Sequence, residues 1–332
     1  MHGRTTGAWV GSSVIPQLVF VHGIGGPRDT AAERRAWLEA LAEGARKAGH
    51  ADAVSGLTQG WLAETRFANY SDLFTDAEAQ GEAGEELVGE HTPFLEEHIE
   101  DLLDELNRQA AEEGDRRASA VIEDARAQLP RSDDQAQGIG APVRVLGRVL
   151  TTLLQLPVLR QGAQWASGVP LLWHLAQVGR YLDREETDGN ERSLDLRIRE
   201  RVLRGTDPER PLVVVSHSLG SVVAFEALHH HRGPVPLLMT LGSPLATGAA
   251  VLQRLAPQPP RTPACVERWL NFWDRDDVVV GRPRIQNWML PSTSGVLPVT
   301  DRVDSDGLWV HTATKYLRQP AVAGPLVEAL RK

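Results

Sequence analysis

The chain alternates short apolar runs with longer amphipathic ones. Gln17 to Val21 (QLVFV) is continuously apolar and stops at His22-Gly23-Ile24-Gly25-Gly26, as a strand buried on both faces does on meeting a glycine loop. A helix is predicted from Thr30 to Ala48, closed by Gly49, and Trp61 to Tyr70 has the aromatic and β-prone content of a second strand. Asp76 to Gln128 has helical periodicity with a solvated acidic face, and Val143 to Leu182 is apolar with interspersed Arg and Gln, cut into helical pieces at Pro157 and Pro170. Three further strands are predicted at Leu212–Val215, Leu237–Leu241 and Trp269–Trp273, with an apolar helix at Val222–His229 and a last strand at Leu308–Val310. Short apolar strands alternating with helices predict an α/β fold with a mostly parallel sheet covered on both faces. In such a sheet the chemistry gathers at the carboxyl ends of the strands, and each distinctive polar cluster of this chain follows one.

Composition narrows the picture. With 42% hydrophobic and 24% charged residues, 332 residues describe a globular chain and exclude disorder, collagen and coiled coil. Every long charge-free stretch is broken by Pro, Gly or Gln, so no membrane-spanning helix is predicted. Met1 to Gln17 has no secretory apolar core and Cys265 is the single cysteine, which together set the expectation of a cytoplasmic protein. The formal charge of -9 speaks against a general electrostatic grip on nucleic acid. It also conceals an asymmetry: Asp76 to Asp134 holds 19 acids against 5 Arg, whereas Ala141 to Leu182 holds four Arg and no acid. Both stretches are read as one insertion, residues 76–182, in a catalytic domain formed by 1–75 and 183–332.

The candidate nucleophile is Ser218, between a strand and a helix, with small residues two before and two after it, Ser216 and Gly220. A serine hydroxyl needs an imidazole to take its proton and a carboxylate to orient that imidazole. In a chain order of Ser, then acid, then His, one histidine remains after the acid cluster Asp274–Asp277, namely His311. His217 is expected to pack beside the turn. The run His229-His230-His231 is not expected to bind metal, since consecutive helical residues diverge. For the acid, Asp277 is the first choice, Asp276 stands second and Asp274 reads as a loop-shaping residue. Asp301, Asp304 and Asp306 form a minor alternative, and Glu226 and Glu267 are badly placed. Backbone N–H groups of Leu219 and Ile24 are the oxyanion candidates. The glycine loop fits neither a phosphate loop nor a dinucleotide fingerprint, so no cofactor and no metal are expected.

On these residues the chain resembles the α/β-hydrolase superfamily, and within it the lipase and esterase-like serine hydrolases. LVFVHGIGG at Leu18–Gly26 is similar to their oxyanion strand and loop, VVVSHSLGS at Val213–Ser221 to their nucleophile turn, and LGSPL at Leu241–Leu245 to the strand after it. WLNFWDRDDVVV at Trp269–Val280 is similar to the acid strand of lipase-like members, in which an Asn is followed six positions on by the catalytic Asp. Counted from Asn271, this is Asp277. HTATKYL at His311–Leu317 resembles the histidine loop, with Tyr316 on the helix behind it. The resemblance covers about residues 15–75 and 190–330 and implies an α/β-hydrolase fold, a helical cap or lid in the insertion, and cleavage of a carboxylic, lipid-like ester through an acyl-enzyme. The expected partner is a small acyl ester. Within 143–182, Trp165, Trp173 and four Arg also suit a helix lying on an anionic membrane, the second reading after a cap. Thioester cleavage or acyl transfer would use the same residues. The rival from another class is an interaction protein of this fold with an unused site, against which the joint presence of Ser, Asp and His counts.

Overall fold

The computed structural model describes residues 15–23, 29–74, 87–129, 141–156, 169–275, 277, 279–280, 282–305 and 311–332. Six strands form one all-parallel sheet: β1 Gln17–Val21, β2 Glu64–Ala68, β3 Leu212–His217, β4 Leu237–Leu241, β5 Trp269–Trp273 and β6 Pro298–Arg302, in the order β2-β1-β3-β4-β5-β6. The described helices are α1 Thr30–Lys47, α2 Val54–Gln59, α3 Thr92–Glu113, α4 Arg116–Ala127, α5 Ala141–Leu153, α6 Val169–Asp183, α7 Leu194–Leu203, α8 Leu219–Leu228, α9 Gly248–Val251, α10 Ala313–Leu317 and α11 Pro320–Leu330.

The two-residue period of a strand divides each apolar run between two cores. Leu18 and Phe20 of β1, with Val213 and Val215 of β3, face α1, α10 and α11. Val19, Val21, Leu212 and Val214 face α8 and the helices of the insertion, whose Leu95, Ile99, Leu146, Leu150 and Leu175 belong to the same apolar cluster. One face of the sheet and the insertion therefore share a continuous core.

Local chemistry sets the helix ends. Asp29 accepts the N–H groups of Ala31 and Ala32 at 2.9 and 3.0 Å and opens α1, and Gly49 closes it at φ +89°. The long acidic periodicity is not one helix: Gly114, at φ +69°, ends α3, and Asp115 caps α4 through the N–H groups of Arg117 and Ala118. Pro170 sits in the first turn of α6, where a missing N–H costs nothing, so a helical piece begins at this proline. Pro157 and the strand predicted at 308–310 lie outside the described residues. A strand that the sequence did not predict runs over Pro298–Arg302, an edge strand whose polar, largely exposed side chains hide it from apolar periodicity.

In α5 and α6 Val143, Leu146, Val149, Leu150, Leu172 and Leu175 are buried, while Arg144 and Arg148 are exposed. Among the described residues no helix is long and apolar enough to cross a membrane. The insertion is tied to the sheet half by a buried polar network. Tyr181 at the end of α6 donates to Glu226 of α8 at 2.8 Å, Arg184 pairs with both Glu226 and Asp195, and the Ala256 N–H donates to Glu226 at 2.8 Å. This explains why Glu226, although fully buried, is a structural carboxylate.

His98, inside α3, is 1% exposed, and neither ring nitrogen has a hydrogen-bond partner among the described residues. Burial pushes its pKa down to about 4. The folded state thus holds the neutral ring, so stability is complete above the unfolded value of about 6.5 and falls as pH drops from there towards 4. Between pH 7.5 and 4.5 this one group is expected to remove about 2.5 kcal/mol. Urea unfolding of wild type and His98→Leu at both pH values measures it; equal losses in the two proteins would refute it.

Candidate active site

Ser218 stands directly after β3, at φ 55° and ψ -133°, a conformation that side-chain-bearing residues rarely adopt. The turn is held by its neighbours. The Ser218 N–H donates to Leu241 O at 3.0 Å, and a hydrogen-bond chain runs from the Leu245 N–H to Ser243 Oγ, on to Ser221 Oγ, and from there to Ser218 O at 2.6 Å. No spacing or periodicity in the sequence marks Ser221 or Ser243 for this chain. Strand and helix nearly touch here: a Cβ on Gly220 would lie 2.3 Å from His22 O, and one on Gly23 would lie 2.7 Å from Ser218 Cβ. Ser216, near the end of β3, is buried, its Oγ donating across to Met239 O of β4 at 3.1 Å.

His311 follows β6 in the chain and precedes α10. Its Nε2 lies 3.0 Å from Ser218 Oγ and its Nδ1 lies 2.8 Å from Asp277 Oδ2. An ionised carboxylate only accepts, so the hydrogen sits on Nδ1 and Nε2 is left to accept the serine proton. The other face of the ring is backed by His217, buried, with ring centroids 4.6 Å apart, and His217 in turn meets Trp37 of α1 edge-on.

Asp277 is fully buried at its side chain and saturated with donors. Oδ2 accepts from His311 and from the Tyr316 hydroxyl at 2.7 Å, and Oδ1 accepts the Val279 N–H at 3.1 Å. Tyr316 is a component that the sequence placed only behind the histidine. Burial, then Asp277, raise its pKa well above the ordinary phenol value, so it remains a donor, and its oxygen accepts the Asp274 N–H at 3.0 Å. Gly242, at φ +53°, lets the end of β4 pass this carboxylate, since a Cβ there would come within 2.6 Å of Asp277 Oδ2.

The remaining candidates have other places. Asp274 is buried and accepts the Ser305 N–H at 2.6 Å, which is the loop-shaping role. Asp301 is exposed on β6, Asp304 pairs with Arg302 at 3.1 Å, and Glu267 is exposed ahead of β5. Asp276 and Asp306 lie outside the described residues. So does Ile24; the described part of its loop is organised by His22, whose ring stacks on Tyr70 at 4.1 Å and lies parallel to Phe67 at 5.4 Å. Leu219 is the first residue of α8, so its N–H has no acceptor within the helix. No group of three or more His, Cys, Asp or Glu that could hold a metal occurs among the described residues, the histidine run at 229–231 included.

The arrangement can do specific chemistry: a hydroxyl on a nearly buried turn, an imidazole poised to remove its proton, a buried carboxylate fixing the tautomer, and a helix N-terminus beside the hydroxyl. Comparison with family models, with curated proteins and with solved structures gives no match.

Proposed function

We propose that this chain is an α/β-hydrolase of the lipase and esterase-like kind, a serine hydrolase that cleaves a carboxylic ester of lipid-like character. One observation carries the reading: Ser218 Oγ, His311 and Asp277 stand in a hydrogen-bonded line, at 3.0 and 2.8 Å, with the serine on a positive-φ turn at the end of the central strand β3. Three residues far apart in the chain, brought together with donors and acceptors matched, support catalysis better than an unused remnant of it.

In this mechanism Ser218 Oγ attacks the ester carbonyl while His311 Nε2 takes its proton. The charge on the carbonyl oxygen is held by the Leu219 N–H and by that of Ile24. Collapse breaks the bond to the alcohol, which leaves with the proton from His311, and Ser218 is acylated. Water, deprotonated by His311, then releases the acid and restores the serine. Asp277 stays ionised throughout and steadies the imidazolium, assisted by Tyr316. A thioester would follow the same path.

The test is covalent. An alkyl fluorophosphonate should add to one residue, and peptide mass mapping should find the adduct on the peptide containing Ser218. No adduct, or one on another serine, would sink the proposal.

A further inference from the structure

Three acidic side chains of α3 reach arginines of the sheet half: Glu97 to Arg254 at 3.2 Å, Asp101 to Arg282 at 2.8 Å and Glu113 to Arg275 at 3.4 Å. Two of those arginines flank Asp277 in the loop between β5 and β6. The Glu113–Arg275 pair is well exposed and contributes little, the Glu97–Arg254 pair is half-buried, and Asp101 is 9% exposed. Its carboxylate is seated against Gly248, the first residue of α9, so closely that a Cβ there would lie 2.3 Å from Asp101 Oδ2. The guanidinium of Arg282 in turn lies 4.6 Å from the ring centroid of Trp288. Both partners are therefore constrained from behind.

The acid loop itself is anchored unevenly. On the upstream side Asp274 is bonded to Tyr316 and Ser305, within the sheet half. On the downstream side, Val279 enters the apolar cluster that it shares with Leu95, Ile99 and Leu102 of α3, and Pro283 O accepts from Asn271 at 3.0 Å. Arg282, between Val279 and Pro283, is where that side is clamped to the insertion by charge.

We infer that Asp101 and Arg282 are a positioning pair, through which helix α3 of the insertion holds the acid loop and so keeps Asp277 aligned on His311. The inference rests on the hydrolase reading for its catalytic consequence, but not for its mechanical one. Besides covering one face of the sheet, the insertion braces the acid loop. A nearly buried carboxylate that loses the cation paired with it has little solvent to turn to, so removing either partner frees the loop.

The experiment takes the full chain as wild type, Asp101→Asn, Arg282→Gln, the double variant and Arg282→Lys. Amide hydrogen exchange read by mass spectrometry should be about tenfold faster over Val279 and Val280 in each single variant, with α8 unchanged. Fluorophosphonate inactivation should lose about tenfold in limiting rate with an unchanged half-saturating concentration, the double variant no worse than the singles, and Arg282→Lys should recover most of the loss. Arg282→Gln, at the more exposed partner, keeps the test open if Asp101→Asn does not fold. Unchanged loop exchange, multiplicative losses in the double variant, or a loss confined to half-saturation each overturn the inference. A wild type that the probe does not label, with exchange still accelerated in the variants, overturns the hydrolase reading and leaves the brace standing.

Discussion

Ser218→Ala is expected to lower turnover of a p-nitrophenyl ester about 10⁶-fold, because removing the nucleophile of such a constellation costs nearly as much as removing all of it. The fold should survive. Ser218 Oγ meets His311 at 3.0 Å, and one hydrogen bond is worth about 1 kcal/mol net, so the melting temperature should move by no more than about 3 °C. Alanine keeps the Cβ, so the strain at φ 55° is neither added nor relieved. Turnover above about a tenth of wild type would mean that another group does the chemistry; a large fall in melting temperature would mean that the hydroxyl serves the fold.

Asp277→Asn should cost about 10⁴-fold in kcat with KM little changed, by a different route. The carboxylate accepts three donors, His311 Nδ1–H, Tyr316 O–H and Val279 N–H. An amide has one oxygen for them. If its NH₂ group faces His311, the imidazole must carry its hydrogen on Nε2 and can no longer take the serine proton; if it faces the loop, the Val279 N–H is left opposed by a donor. Asp276→Asn is the decisive companion, expected within about threefold of wild type because on this reading Asp277 alone supplies the triad carboxylate. The reverse ranking in steady-state kinetics would move the triad acid to Asp276.

Much of the site was readable because it depends on local rules. A nucleophile turn needs small residues at fixed offsets, which Ser216 and Gly220 satisfy, and the order Ser, acid, His leaves His311 after the acid cluster. The contributions of Tyr316, Ser221 and Ser243 were not readable in this way. Each acts through one hydrogen bond to a group distant in the chain, and such a bond leaves no period or spacing behind. The choice among Asp274, Asp276 and Asp277 was likewise beyond spacing, since which carboxylate turns towards the imidazole is decided by how the loop folds back. β6 escaped for the opposite reason: with an edge strand half in water, its burial gives no alternation to read.

Charge shows the same division. The unevenness of the sequence marked out residues 76–134 as acidic, and a solvated face was the expectation. Part of that face is solvated, but Glu97, Asp101 and Glu113 find Arg254, Arg282 and Arg275 across the chain. The sequence by itself determined the elements that local periodicity controls, the parallel sheet they imply, and the residue types at the ends of β1, β3 and β5. Tertiary structure alone decided which of those residues meet and that Asp277 lies against the imidazole. It also decided that the insertion shares its core with the sheet, because burial and hydrogen-bond matching belong to pairs of distant segments and are carried by neither one alone.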